Sequence, residues 1–130
     1  MPFQMKTSIS KHVVPVEPVP ASRPRVSKWG VYYGKRYTQF RTEAESALEA
    51  LDLGSPIVGQ ISVHLEFYCK RPKTTKRDTP RGDIDNYCKA ILDSCNGRLF
   101  GDDDQITKMT ARKSWEDEHG PRIIITVFAP

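Results

Sequence analysis

The segment from Arg81 to Ile106, RGDIDNYCKAILDSCNGRLFGDDDQI, carries the pattern from which we predict the fold and the site. It holds six of the sixteen acidic residues of the chain, mainly in an opening pair and a closing run of three. Carboxylates crowded in this way repel one another unless a cation lies among them. Clusters of oxygen ligands are what Mg²⁺ and Ca²⁺ select in proteins. The segment therefore predicts a divalent-metal site.

The residues between the two acidic groups have the period of an amphipathic helix. One apolar stripe recurs at helical spacing and consists of Ile84, Cys88, Ile91, Leu92 and Cys95. Asp83 suits the N-cap position, where its side chain accepts a hydrogen bond from the first turn. The dipeptide at 96–97, Asn-Gly, suits the end of the helix.

The charged residues of this helix are expected to share a face beside the apolar stripe. Asp85, Lys89 and Asp93 follow one another at four-residue steps. If the chain enters the helix extended, the side chains of Asp83 and Asp85 point the same way and converge. The site would then lie at the start of the helix, where the helix dipole favours negative groups and phosphates.

A structural interpretation of the same residues needs no metal. Asp83 can be only a cap, Asp85 and Lys89 only a solvated ion pair, and Asp102 to Asp104 only a polar turn. An EF-hand is a further alternative, but its spacing fails here. Counted from Asp83, Cys88 takes the position of the required glycine and Ser94 that of the closing glutamate.

At these residues the chain resembles the RusA family of Holliday-junction resolvases. The family pattern is Asp-x-Asp-Asn entering a helix, a lysine four residues after the second aspartate, and an aspartate pair before x-Gln-hydrophobic. This chain has DIDN at 83–86, then Lys89, then DDDQI at 102–106. The likeness covers roughly residues 14–127 and includes Leu-Asp at 92–93, Asn-Gly at 96–97 and the early segment PVPASRPRVSKWGVYYGKRY.

The resemblance assigns roles to residues of the central motif. It implies that Asp83 and Asp85 are metal-binding carboxylates and that Lys89 is the catalytic lysine. When the motif is anchored on Gln105, the third carboxylate is Asp103. Three aspartates stand where the family has two, so Asp102 and Asp104 remain alternative ligands.

Two basic segments flank this motif. The first, at 21–37, has no acid, and tyrosines and Trp29 lie among its cations, which are Arg23, Arg25, Lys28, Lys35 and Arg36. The second, at 69–81, has the single acid Asp78 and the cations Lys70, Arg71, Lys73, Lys76, Arg77 and Arg81. Cations neutralise phosphates and aromatic rings stack on unpaired bases, so both segments are candidate DNA-binding loops. The alternative is a solvated basic surface.

The remaining patterns predict one α+β domain over residues 1–130, with 1–11 mobile. Strands are expected at 12–19, 58–68, 105–115 and 122–128, and a second helix at 38–51. We expect a mixed, mostly antiparallel sheet with both helices on one face, and the last two strands paired as a hairpin. Ile106, Met109 and Trp115 are the expected inward residues of the third of these strands.

Composition favours a globular intracellular protein. The chain has 130 residues, 38% of them hydrophobic, and a net charge of +4. Its three cysteines are expected to be buried thiols, and its isolated histidines do not suggest zinc. The start lacks the apolar core of a signal peptide, and no apolar run is long enough to span a bilayer. The expected location is cytoplasmic, and the family's usual setting suggests a phage or prophage origin.

The predicted function is a Mg²⁺-dependent endodeoxyribonuclease, with Mn²⁺ as the alternative ion, that resolves four-way DNA junctions by paired symmetric nicks. The resemblance implies a homodimer, and a two-fold dimer matches a two-fold substrate. Two alternatives stay open. One is a nuclease for flaps or other branched DNA, and the other is a non-enzymatic protein that binds junctions or single strands.

Overall fold

A computed structural model describes residues 8–22, 25–32 and 34–129, with only the backbone at 25, 31 and 32. Its strands and helices are, in chain order, β1 (Ser8–Val14), β2 (Arg25–Ser27), β3 (Gly30–Tyr32), α1 (Lys35–Ala50), β4 (Ile61–Cys69), α2 (Ile84–Cys95), β5 (Ile106–Trp115) and β6 (Arg122–Phe128). A one-turn 3₁₀ helix, Asp103–Gln105, precedes β5. The predicted α+β fold is confirmed.

The main sheet has four strands in the order β1-β6-β4-β5, and β2 and β3 form a separate hairpin. β4 pairs with β5 in parallel, whereas the other neighbours are antiparallel. The prediction that β5 and β6 form a hairpin is wrong, because β4 lies between them. Parallel neighbours need a crossover connection, and here the connection contains α2. The helix with the acidic motif is thus the crossover of a β-α-β unit.

Both helices cover one face of this sheet and enclose the core. From β4 the core takes Ile61, Val63, Leu65 and Phe67, as the alternating pattern predicts. From β6 it takes three apolar residues, Ile123, Ile125 and Val127. Helix α2 contributes the larger share of the helical side chains, because seven of its twelve residues are buried.

Several predicted boundaries were displaced. β1 begins at Ser8, so residues 8–11 belong to a strand that was expected to start at 12, and residues 1–7 lie outside the described part. Helix α1 begins at Lys35 rather than at 38 and ends at Ala50. β4 begins at Ile61 rather than at 58. The termini of elements depend on contacts that single-residue propensities do not contain.

Two residues assigned to the core by periodicity are largely exposed. Met109 lies on the edge strand β5 and is 43% exposed, although Ile106 and Trp115 pack against the core as expected. Ile84 is the first residue of α2 and is 38% exposed, so it lies at the margin of the predicted apolar stripe.

The three cysteines Cys69, Cys88 and Cys95 are free and buried, as predicted. Desolvation by burial raises the pKa of each thiol, to about 11 for Cys69 and Cys88 and to about 12 for Cys95. All three therefore stay protonated near neutral pH. Among the described helices, none is long and apolar enough to cross a membrane.

Candidate active site

The chain enters α2 through a tight turn at Gly82. This glycine has a φ of +94°, which disfavours residues with a side chain. A β-carbon placed there would lie 3.1 Å from Pro20 Cγ and 3.1 Å from Tyr87 Cε2. Both the backbone conformation and the close approach therefore require glycine immediately before Asp83.

Two side chains hold the carbonyl oxygens of this turn. Lys113 on β5 donates from Nζ to the carbonyl oxygen of Pro80 at 2.8 Å and to that of Gly82. The Tyr87 hydroxyl on α2 donates to the carbonyl oxygen of Arg81. Burial raises the pKa of Tyr87 well above its usual value, so this hydroxyl remains a donor. Three consecutive carbonyls are fixed, and with them the direction in which Asp83 enters the helix.

The sequence analysis missed Lys113. One signal was available, since Lys113 lies two residues before Trp115 and therefore shares the face of the strand that was expected to point inward. A lysine at such a position needs a partner, because a buried ammonium is costly when unpaired.

Asp83 and Asp85 are exposed at the start of α2. The backbone of Asp83 is extended (φ −79°, ψ 139°), as the prediction of converging carboxylates required. Its side chain makes no capping hydrogen bond, so that part of the prediction is wrong. In the described part of the chain, neither carboxylate has a hydrogen-bond or ion-pair partner. Both anions are thus available to a ligand.

Lys89 forms its ion pair with Asp93 rather than with Asp85. The Lys89 Nζ lies 3.4 Å from Asp93 Oδ2, and the lysine side chain remains 65% exposed. The same Asp93 oxygen accepts a hydrogen bond of 3.4 Å from the buried Tyr37 hydroxyl. Arg41 in turn donates to that hydroxyl at 3.4 Å. A polar chain from α1 therefore supports the lysine of α2.

The closing acidic run is anchored by the side chain of Gln105. Its Oε1 accepts a hydrogen bond of 2.8 Å from the backbone N–H of Asp102. Its Nε2 donates to the carbonyl oxygens of Ile57 at 2.9 Å and Gly59 at 2.8 Å. Gln105 thus attaches the acidic turn to the loop that precedes β4.

Asp103 lies near the charged face of α2. The pKa of its carboxyl is raised, first by desolvation, then by the hydrogen bond and the charge of Asp102, and then by the charge of Asp93. Lys89 acts in the opposite direction. The structure therefore brings the closing acidic run to the helix face that carries Lys89, and Asp102 and Asp104 lie exposed on either side of Asp103.

The carboxylates do not form a complete metal-binding set by themselves. Within the described ranges, no three or more acidic, histidine or cysteine side chains lie close enough together to hold a metal ion. Their oxygen donors nevertheless suit Mg²⁺, which keeps several waters and often takes only one or two carboxylates together with substrate phosphates. The donor chemistry fits Mg²⁺, and the ion itself stays a prediction.

The predicted DNA-binding cations fall on three different elements. Lys28 lies at the tip of the β2–β3 hairpin, with its Nζ 5.0 Å from the ring centroid of Trp29, which is 86% exposed. Lys35 and Arg36 are exposed in the first turn of α1 instead of in a loop. The second basic segment is a loop whose cations are all exposed, namely Lys70, Arg71, Lys73, Lys76, Arg77 and Arg81.

Part of the first basic segment differs from the prediction. Tyr37 was expected among the loop aromatics, but it is buried in α1 and holds Asp93. Arg23, Tyr33 and the side chains of Arg25 and Tyr32 lie outside the described residues.

Acidic residues, a lysine and basic loops gathered on one α+β domain are typical of enzymes that cut nucleic-acid backbones. The family model for endodeoxyribonuclease RusA matches residues 15–128. The chain therefore belongs to the RusA endodeoxyribonuclease family.

One relative is a protein whose own role is not described by its name. The chain is similar to the uncharacterized protein YqaN of Bacillus subtilis strain 168, with 26% identity over 85 residues. The matched part is 55% of this chain and 58% of YqaN, so the chain spans little more than half of that relative.

Proposed function

We propose that this protein is a Mg²⁺-dependent endodeoxyribonuclease that resolves four-way DNA junctions by paired, symmetric nicks. The observation that carries the proposal is the pair of exposed and unpartnered carboxylates, Asp83 and Asp85, at the start of α2. As structural residues they have no purpose, because the cap and the ion pair that they were expected to make are both missing. As metal ligands in a member of this nuclease family, they have the required exposure and chemistry.

Asp83, Asp85 and Asp103 would hold the ion, with Asp102 and Asp104 as alternatives to Asp103. When bound, Mg²⁺ withdraws charge from the phosphodiester and makes a coordinated water more acidic. Lys89 presents a compact positive charge to the same region and stabilises the charge that develops on the phosphate.

Asp93 and Tyr37 hold the lysine in place without touching the substrate. The Asp93 carboxylate faces the ammonium of Lys89, and the Tyr37 hydroxyl fixes that carboxylate from α1. Because the ion pair is exposed on the lysine side, it contributes little to stability. Its value lies in limiting the positions that Lys89 can occupy.

The basic loops would contact the DNA backbone on both sides of this site. The loop at 69–81 leads directly into Asp83, so a phosphate held by its cations arrives beside the carboxylates. The exposed Trp29 at the hairpin tip offers a ring for an unpaired base at the branch point. A homodimer would supply the second site that paired nicks require.

Cleavage of a synthetic four-way junction tests the proposal. Each strand is labelled in turn, and wild type, Asp83→Asn and Asp52→Asn are compared with and without Mg²⁺ on denaturing gels. Asp52 is an exposed aspartate outside the site and is the matched control. We expect paired nicks that need Mg²⁺, survive Asp52→Asn and disappear in Asp83→Asn, with junction binding retained.

Other substrates separate the junction resolvase from the alternatives. A flap and a linear duplex of equal length are cut under the same conditions. Equal cleavage of flaps would broaden the activity to branched DNA in general. Tight binding without any cut in either metal condition would contradict the nuclease and favour a binding protein.

A further inference from the structure

A second cleft lies beside the carboxylates, between the segment at 17–20 and the basic loop. Its volume is about 340 Å³, which is near the lower end of the range for ligand pockets. We propose that this cleft is a subsite for one unpaired nucleotide of the DNA strand that is cut. The inference rests on the proposed function and names a structural feature by which that function would select its substrate.

The floor and walls of the cleft are apolar and rigid. Cys69 and Tyr87 are 4% and 5% exposed and line the cleft together with the buried Pro80. Trp115 forms part of the wall, and its indole Nε1 donates to the carbonyl oxygen of Arg77 at 3.1 Å. Three more prolines complete the apolar lining, at 18, 20 and 72. Such a lining suits the flat face of a nucleobase.

The rim of the cleft is cationic. Arg36, Lys70, Arg77 and Arg81 line it, and Glu17 is the acidic residue among the lining residues. Lys70 and Arg81 have no side-chain partner within the described ranges, so both are available to a phosphate. Arg36 lies 3.3 Å from Glu17, but both side chains are well exposed and this pair is weak. An apolar floor below a cationic rim matches a base with its phosphate.

The position of the cleft connects it to the reaction. Gly82 lines the cleft, and Asp83 is the next residue. A nucleotide held there would place its backbone beside the carboxylates. A base within an intact duplex is stacked and paired and is withheld from such a cleft. Extruding a base costs least where pairing is already disturbed, as at a branch point. The cleft would thus favour branched over linear DNA.

The two tryptophans of the chain allow a direct test. In a Trp29→Phe variant, Trp115 is the remaining indole and reports on the cleft alone. Its fluorescence is titrated in EDTA with a four-way junction, a single strand and a fully paired duplex, and the anisotropy of labelled DNA measures overall binding in parallel. We expect the junction and the single strand to quench Trp115 and the duplex to leave it unchanged.

Charge variants in the same background give the control. Arg81→Ala combined with Lys70→Ala should raise the DNA concentration for half-maximal quenching at least fivefold. Lys11→Ala, an exposed lysine on β1, should leave it unchanged. Unchanged Trp115 fluorescence on a bound junction, or equal quenching by the duplex, would overturn the subsite while leaving the nuclease intact. Absence of DNA binding by anisotropy would overturn both proposals.

Discussion

Gly82 is the residue on which the geometry of the site depends most directly. Replacing it with alanine imposes a side chain at φ +94° and brings a β-carbon to 3.1 Å from Pro20 and Tyr87. We expect Gly82→Ala to lower the free energy of unfolding by roughly 1–3 kcal/mol, the usual range for such strain. We also expect cleavage to fall at least tenfold, because the turn that delivers Asp83 must move. Urea denaturation and junction cleavage measure the two effects.

Gly54→Ala is the matched control for this change. Gly54 also has a positive φ, of +69°, but a β-carbon there would meet nothing within 4 Å. This variant should lose stability through backbone strain alone and keep its cleavage rate. A Gly82→Ala protein with wild-type turnover would show that the turn does not position the carboxylate.

Asp103 should be a residue whose charge opposes folding. Its carboxyl pKa is raised by desolvation and by its acidic neighbours. A carboxyl with a folded pKa above the unfolded value contributes stability at low pH, and that contribution is lost as the pH rises through the folded pKa. Without metal, Asp103→Asn should therefore be more stable than wild type at pH 7, by roughly 0.2–1 kcal/mol. Denaturation in EDTA measures this difference, which should shrink on acidification.

The same substitution should abolish cleavage if Asp103 is a metal ligand. Greater stability with lost activity is the pattern expected of residues kept for function at a cost to folding. Asp104→Asn gives the comparison, because Asp104 is exposed and has no resolved shift of its own. Loss of activity in Asp104→Asn with activity retained in Asp103→Asn would transfer the ligand role to Asp104.

At the scale of elements, β5 supports the start of α2 through Lys113. Lys113→Met keeps the length of the side chain but leaves the carbonyls of Pro80 and Gly82 without their donor. We expect a loss of about 1–3 kcal/mol of stability, the usual cost of an unsatisfied buried group. The Mg²⁺ concentration for half-maximal cleavage should also rise, since the turn before Asp83 is loosened.

Two further variants separate this positioning role from a general loss of charge. Lys113→Arg keeps a donor and should recover part of the Mg²⁺ dependence. Arg112→Met removes an exposed neighbouring cation and should leave that dependence unchanged. If Lys113→Met lost stability yet kept the wild-type Mg²⁺ midpoint, the lysine would be a purely structural residue.

The elements with strong local signals were predicted well. β6 has the predicted bounds, and α2 begins and ends where the Asp83 and Asn-Gly signals placed it. What the sequence did not reveal depends on distant contacts. The parallel pairing of β4 with β5 joins residues more than forty positions apart, and no local pattern distinguishes it from a β5–β6 hairpin.

The same limit applies to the site. The acidic motif, Lys89 and the basic loop were all recognised as a set from their spacing. The supports around them were missed, because Lys113, Tyr37 and Gln105 act on partners that lie far away in the chain. Tyr37 was even placed among exposed aromatics, since a helix start three residues earlier turned it toward the core.

At the scale of the whole molecule, the modest net charge of +4 conceals an uneven distribution. Eleven of the twenty basic residues fall in the two segments next to the acidic site. DNA should therefore bind along these segments, and its affinity should fall steeply with salt, because each neutralised phosphate releases counterions with a slope of about −0.9 in log K against log salt. The Asp83→Asn protein in EDTA allows this slope to be measured without cleavage.

Removing two cations from the loop should reduce this slope by a countable amount. Lys73 and Lys76 are exposed residues of the loop at 69–81, outside the lining of the nucleotide cleft. Lys73→Ala with Lys76→Ala should make the slope less negative by about 2 if each contacts one phosphate. At saturating protein, the cleavage rate of the same double variant in an otherwise wild-type chain should remain close to normal, because neither lysine touches the carboxylates. An unchanged salt slope would mean that the DNA follows another path across the surface and that this loop is only a solvated basic segment.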